Sequence, residues 1–231
     1  MKNKFSTLEK KIHIVFKDQV LFENVFIHRS FLNEHKKYHL PSNEKLEFLG
    51  DSVLSLVTSI YLYKNYPDLD EGTYTDIKAS IVRTESLAEV AKKINLGNYI
   101  ALSKGEELNE GKDNKNILAD CFEALVAAVF IDQNFESAYT FIVECLFKDK
   151  LDYIVRNKLY LSPKSRLQEL LQAEFRILPA YVIEKEAGPE HKKKFNIAVF
   201  CKDKKLGTGF GLSKKEAEES AAKNALELLQ K

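Results

Sequence analysis

The residues in this sequence best placed to do chemistry are acids set into apolar surroundings. In "NEKLEFLGDSVL", residues 43–54, Glu44, Glu47 and Asp51 fall within roughly 60° of one another at about 100° of helix per residue. Acids sharing one stripe repel each other unless something positive sits among them. Residues 52–63 carry no charge at all, and a helix that is apolar or small all round is a buried one. In "NILADCFEALVAAVFID", residues 116–132, Asp120 and Glu123 stand at i, i+3 and are the only charges between Lys115 and Asp132. Two interior helices with acids in their N-terminal parts make a cation site the natural expectation. Hard oxygen ligands without nearby Cys or His ligands suit Mg²⁺ or Mn²⁺. Glu71, in "DLDEG" after the first helix, is a further candidate. The competing explanation is the helix macrodipole, which favours acids in a first turn. It accounts for Glu44 as readily as a site does, and for the set Glu47, Asp51, Asp120 and Glu123 much less readily.

The elements that must position these acids are helical. Phe5, Leu8, Ile12 and Val15/Phe16 recur at three- and four-residue steps, and the spacing predicts further helices over about 21–31, 43–64, 73–83, 85–94, 117–131 and 135–147. Pro67 and Gly72 break the long helix from the next one. The polar, glycine-containing stretch 102–116 reads as a loop, and the charged stretch after residue 147 as a linker. Beyond it the pattern changes. Pro163 suits the first turn of a helix over 163–175. Tyr181 and Ile183 alternate, as do Phe195, Ile197, Val199 and Cys201, which predicts strands. "KDKK", 202–205, reads as a turn and "LGTGFG" as a third strand. Ser213 with Glu216 three residues on predicts a capped last helix. The expected layout is an all-α domain over 5–147, a linker over 148–160 and an α-β-β-β-α domain over 161–231, whose antiparallel sheet has one covered face.

Composition bounds the function. The chain has 231 residues, 45% hydrophobic and 30% charged, with a formal net charge of +1. That near-neutral sum hides a split: residues 1–159 carry 21 basic against 24 acidic groups, and residues 160–231 carry 14 against 10. An acidic front joined to a basic tail is an asymmetry that marks the two parts of the chain as different. Cys121, Cys145 and Cys201 are widely spaced and fit neither a metal-ligand pattern nor a disulfide framework. The N-terminal stretch lacks the apolar core of a signal peptide, and the longest uncharged run, 52–63, is too short to span a bilayer. A cytoplasmic protein without a membrane partner is expected.

"NEKLEFLGDSVL" closely resembles the signature motif of the ribonuclease III family, and "HRS" at 28–30, "LSKGEE" at 102–107 and "ILADCFEALVAAVFID" follow in that family's order. The tail, through "SPKSRLQELLQ", "PAYVIEKEAGPEHKKKFNIAVF" and "GTGFGLSKKEAEESAAKNAL", resembles a double-stranded-RNA-binding domain. The likeness covers nearly the whole chain and matches the short bacterial form. It implies an Mg²⁺-dependent endoribonuclease, with no other small-molecule cofactor, that cuts double-stranded RNA by metal-activated water and leaves 5′-phosphate and 3′-hydroxyl ends with a short 3′ overhang. It implies roles in ribosomal RNA precursor and mRNA processing. Residue by residue, Glu47, Asp120 and Glu123 match metal ligands, and Asp51 and Glu123 match catalytic acids. Glu44 and Glu71 match valley acids that handle substrate. Lys45 stands where many members have Arg, which keeps the charge and loses the planar fork. The family is homodimeric, and Phe48 and Leu49 are candidates for that seam, with ordinary core packing as the alternative. His28 invites a general-base role, but on an apolar segment a structural histidine is the better expectation.

Duplex RNA in the A form displays 2′-hydroxyls in a wide minor groove and is read by shape. Ser165, Gln168 and Gln172 form the polar side of the helix over 163–175, opposite Leu167, Leu170, Leu171 and Phe175. Gly188, Pro189 and His191 belong to a turn, "GPEH", suited to a second groove. Lys214 and Lys215 open the last helix, where helix N–H groups and ammonium groups favour phosphate. Two other classes compete: a duplex-binding clamp that does not cut, which the intact acid set disfavours, and a helical phosphohydrolase of small phosphates, which the tail disfavours.

Overall fold

The stretch whose only interior charges are Asp120 and Glu123 folds as the central helix in a computed structural model describing residues 5–148, 150–189 and 193–229. In chain order the helices are α1 (Ser6–Ile12), α2 (Gln19–Asn24), α3 (Arg29–Glu34), α4 (Glu44–Asn65), α5 (Glu71–Ile81), α6 (Thr84–Lys93), α7 (Lys104–Leu108), α8 (Lys115–Asp132), α9 (Phe135–Ile142), α10 (Leu151–Arg156) and α11 (Pro163–Phe175). Strands β1 (Ala180–Ala187), β2 (Lys194–Cys201) and β3 (Lys204–Gly211) and helix α12 (Lys214–Leu229) complete it. The chain divides into two compact units, Met1–Val155 and Arg156–Lys231.

In the first unit α8 is wrapped by α2, α4, α6 and α9. From Ile117 to Val129 every α8 residue is buried except Asp120 and Glu123. A core that dry makes the position of those two acids a costly choice. Their partner helix α4 is long and apolar enough to cross a membrane by composition alone, but here it packs on α8 and opens with acids. Contrary to what its charge-free run predicts, it is not enclosed all round. Phe48, Leu56 and Tyr63 are 79%, 52% and 76% exposed.

Elsewhere tertiary bonds override the local pattern. The predicted single helix over 21–31 is two, because the backbone of 25–28 is claimed from outside. Asn43 Nδ2 donates to the Val25 carbonyl at 3.0 Å and Asn43 N–H to the Ile27 carbonyl at 2.9 Å. Ala101 N–H donates to Phe26 O at 2.8 Å. His28 then turns extended and caps α3, its Nδ1 accepting from Ser30 N–H. Val15, read as part of the first apolar face, is 75% exposed because α1 stops at His13 in a left-handed conformation. The loop over 102–116 contains α7, which Ser103 Oγ caps by accepting from Glu106 N–H, and a 3₁₀ turn at Gly111–Asp113. The helix predicted to residue 147 ends in one π-helical turn, Val143–Phe147. The stretch read as a linker carries α10. Leu151 is 1% exposed, Lys150 pairs with Glu89 at 2.6 Å, and Tyr66 donates to Asp152.

The second unit is a β1-β2-β3 antiparallel sheet with α12 laid across β2 and β3 and α11 against α12. Phe195, Ile197 and Val199 pair with Gly211, Gly209 and Gly207, so all six positions share the helix-facing side. The three glycines let α12 touch the sheet backbone: a Cβ on Gly209 would stand 2.1 Å from Ala221 N. Leu167, Leu171, Val199, Leu206, Ala221, Ala222, Ala225 and Leu226 form the core. Ser213 caps α12 by accepting from Glu216 N–H at 3.1 Å, and Glu216 accepts from Leu212 N–H at 2.7 Å. Strand β1 departs from the expected alternation. It is an edge strand with a bulge after Ile183, only Tyr181 tucks in, and Ile183 is 40% exposed. Phe175, assigned to the apolar side of α11, is 53% exposed at the helix end. Lys202 and Asp203 make the hairpin turn, while Lys204 and Lys205 already belong to β3.

Candidate active site

The junction of α4 and α8 starts from one missing side chain. An ideal Cβ on Gly50 would lie 1.9 Å from the Glu123 carbonyl oxygen. The two helices therefore meet backbone to backbone at the turn that carries the acids. Asn43 fixes the entry of α4 through its bonds to Val25 and Ile27 and is only 3% exposed. Asn114 fixes the entry of α8 by accepting from Asn116 N–H at 2.9 Å and Ile117 N–H at 3.4 Å.

With the helices so held, Glu47, Asp120 and Glu123 each offer a carboxylate oxygen, all within 4.8 Å of one another. Asp51, exposed one turn beyond Glu47, adds its field to both Glu47 and Glu123. Burial first, then the charges of Asp51, Asp120 and Glu47, push the Glu123 carboxyl up to about 8. Burial also raises Glu47, reinforced by Asp120, Glu44 and Asp51. It raises Asp120 too, against the pull of His28. Among the described residues none of Glu47, Asp51, Asp120 and Glu123 forms a salt bridge. Asp120 and Glu123 lie beyond the first turn of α8, where the macrodipole has faded. Half-buried acids without a counterion are the arrangement that a cation would relieve.

The donor set fits a hard divalent ion. Two oxygens on one Mg²⁺ stand at most about 4.2 Å apart, from a Mg–O distance of about 2.1 Å. Small side-chain rotations would close the present spacing. Glu44 lies at the rim, exposed, with Ser42 donating to it at 2.6 Å and Arg29 Nη1 3.7 Å away. Glu71 is not among the converging acids. It opens α5, beyond the far end of α4, a 22-residue helix about 33 Å long. Leu49 is half-buried and Phe48 exposed.

A cavity of about 390 Å³ adjoins the acids and is lined by His28, Arg29, Asn43, Glu44, Glu47, Glu106 and Asp120, among others. His28 is held through Nδ1, 2.8 Å from Ser30 Oγ, and burial keeps its pKa low against the field of Glu106. Its capping role agrees with the structural reading. Ser30 Oγ also accepts from Ser103 N–H at 3.1 Å. The "HRS" and "LSKGEE" stretches are thus one wall of this cavity. Sequence reasoning missed Gly50, Asn43 and Glu106. A glycine inside an otherwise apolar helix was the available signal for the first.

In the second unit Ser165, Gln168 and Gln172 are exposed on α11 opposite buried Leu167 and Leu171. Gly188 takes a φ of 99°, a turn conformation open to glycine. Pro189 is exposed beside it, and His191 lies outside the described residues. Lys214 and Lys215 are exposed at the start of α12. Lys214 Nζ is 3.9 Å from Glu186 and sits 5.9 Å over the Phe195 ring.

Comparison with known proteins follows the same division. Residues 18–150 match the family model described as ribonuclease-III-like, and residues 163–229 match the double-stranded RNA binding motif. The chain is 46% identical to Ribonuclease 3 of Chloroflexus aurantiacus over 98% of this chain and 92% of that one. It is 46% identical to Ribonuclease 3 of Caldanaerobacter subterraneus over 96% of each. The nuclease domain of a ribonuclease III from Campylobacter jejuni, a structure with a region involved in dimer formation, matches with a TM-score of 0.59 and 35% identity, covering 64% of this chain and 99% of that one.

Proposed function

Since the chain belongs to the ribonuclease III family and is an endoribonuclease of double-stranded RNA, we propose that Glu47, Asp51, Asp120 and Glu123 form its cutting site and work with Mg²⁺. The convergence of three uncompensated carboxylates at the Gly50 contact is the observation that carries this reading. Glu47, Asp120 and Glu123 hold the ion, and Mn²⁺ substitutes. When bound, a divalent cation supplies an activated water and charge stabilisation on the phosphate. The carboxylates of Asp51 and Glu123 would orient an attacking water by accepting its hydrogen bonds and would take up its proton. Without an ion, burial and the neighbouring acids hold the Glu123 carboxyl well above its ordinary range, and a bound cation would bring it down. The ends left are 5′-phosphate and 3′-hydroxyl, with a short 3′ overhang.

The overhang requires two such sites, and the open side of α4 supports a homodimer. Phe48, Ser52, Leu56, Ser59 and Tyr63 fall within roughly 80° of one another. Their sector adjoins that of Glu44, Glu47 and Asp51. A two-fold contact through this stripe, with Leu49 at its edge, sets two acid clusters on one assembly. Glu44 handles substrate at the margin of the valley, and Glu71 handles it away from the metal cluster, beyond the far end of α4. In the second unit Ser165, Gln168 and Gln172 meet one minor groove, Gly188, Pro189 and His191 the next, and Lys214 and Lys215 the phosphates between. The catalytic domain spans 5–147 and the RNA-binding domain 161–231. A cytoplasmic enzyme of ribosomal RNA precursor and mRNA processing is the setting, with no membrane partner.

The test is incubation with a long RNA duplex, with and without Mg²⁺, alongside a matched DNA duplex and the Glu123→Ala variant. Expected are staggered RNA ends that appear only with metal, and a variant that binds duplex without cutting. A Glu123→Ala protein that cuts like the wild type would overturn the site.

A further inference from the structure

The first unit is acidic, yet its valley must accept a polyanion. One exposed segment runs against that charge: "HKKYH", residues 35–39, between α3 and α4. Both of its flanks are valley elements. His28 and Arg29 at the start of α3 and Asn43 and Glu44 at the start of α4 line the cavity beside Asp120. A six-residue α3 is only about 9 Å long, so the segment stands within a few phosphates' reach of the acids.

It is also a held loop. The His35 ring stacks on Phe31 at 4.0 Å, and Tyr38 meets the same ring edge-on at 5.1 Å. Tyr38 donates to Glu23 at 2.7 Å, and Asn24 donates to the Pro41 carbonyl at 2.7 Å. Of the neighbouring acids, Glu34 turns away to accept from Lys104 N–H at 3.2 Å, while Glu23 is anchored on Tyr38 within the loop and forms no ion pair with Lys36 or Lys37. Lys36 and Lys37 are exposed and form no ion pair among the described residues. Around them lies a surface hollow of about 560 Å³ lined by residues 33–38.

We propose that Lys36 and Lys37, presented by this aromatic-clamped loop, contact the phosphate backbone of duplex RNA next to the cutting site. The inference rests on the cutting site assigned above. The loop supplies the catalytic unit with cationic contacts of its own, separate from those of Lys214 and Lys215. Positioning of this kind carries no sequence information and fixes where the duplex lies.

The test compares the full-length wild type with a Lys36→Ala/Lys37→Ala double variant and a Lys36→Arg/Lys37→Arg double variant. kcat/KM for one RNA duplex is measured at fixed Mg²⁺ across monovalent salt. Each phosphate contact contributes about 0.9 to the slope of log affinity on log salt, taking the B-form coefficient. The Ala pair should flatten the slope by up to roughly 1.8, so that its deficit shrinks about 12-fold over a fourfold rise in salt. The Arg pair should keep the wild-type slope. An Ala pair with wild-type kcat/KM and slope, or a deficit equal at every salt concentration, overturns the proposal. A wild type that fails to cut would instead strike the site on which it rests.

Discussion

Replacing Gly50 by Ala is the sharpest test of how the acids are assembled. Two effects of opposite sign compete. Alanine is the better helix former by about 1 kcal/mol, so an isolated α4 would gain. The added methyl would stand 1.9 Å from the Glu123 carbonyl oxygen and 2.5 Å from its carbon. Ordinary contact at about 3.4 Å or more requires α8 to retreat by about 1.5 Å. Neither group is a flexible side-chain tip, so the backbone must move, and overpacking of this kind costs about 1–3 kcal/mol. Packing therefore cancels or outweighs propensity. The functional effect is larger, because Glu123 moves with its own backbone away from Glu47. A displacement near 1 Å at a reacting centre costs on the order of 100-fold, or about 2.7 kcal/mol of barrier. Cleavage of an RNA duplex followed across a Mg²⁺ titration should show kcat/KM down by at least about 100-fold. Half-saturation should shift to higher Mg²⁺, and duplex binding through the second unit should be unchanged. A Gly50→Ala protein that is more thermostable than wild type and cuts with the same Mg²⁺ dependence would refute the backbone contact.

Three further outcomes are expected. Glu123 binds its proton up to about pH 8, against an ordinary value of 4.5. Between those limits the folded state holds more protons than the unfolded one, so this group's contribution falls as pH rises. In chelator, wild-type Tm should therefore drop relative to Glu123→Gln from pH 5 to 8, and Mg²⁺ should restore it most at pH 8. Parallel Tm curves for the two proteins would contradict the assignment. Lys214→Ala with Lys215→Ala should weaken duplex binding across sequences and lower the salt slope by about 1 per lost contact, read by titration at several salt concentrations. An unaltered slope would remove that surface from the interface. Phe48→Glu should shift the mass in sedimentation from dimer to monomer, and an unshifted mass would exclude the α4 stripe as the seam.

The acids were readable in the sequence because burying them needs a reason that composition alone exposes. Asp120 and Glu123 interrupt a helix that is otherwise fully buried between Ile117 and Val129, and no solvated-face reading survives that context. What could not be read was how close α4 and α8 come, since Gly50 acts through a backbone 73 positions away in the chain. The break between α2 and α3 was hidden for a similar reason. Phe22, Val25 and Phe26 keep a helical period, and the interruption is imposed by hydrogen bonds from Asn43 and Ala101. Helix α10 was masked by its charges: Leu151 alone is fully buried there, too little apolar signal to mark an amphipathic face. In the second unit the register of β2 was legible from alternation, while β1 lies at an edge where alternation is only loosely enforced.

Strand β3 has a consequence for how this molecule tolerates change. Its helix-facing side is written in Gly207, Gly209 and Gly211, each of which would drive a Cβ to within 2.8 Å of the α12 backbone. Such positions have no side chain to lose, only room to lose, so conservative and radical replacements should fail alike there. The interleaved Thr208 and Phe210 look outward, Phe210 at 70% exposure. A saturation library of these five codons would read as an alternating barcode, dark at odd numbers and pale at even ones, with chemical similarity counting for little on the dark bars.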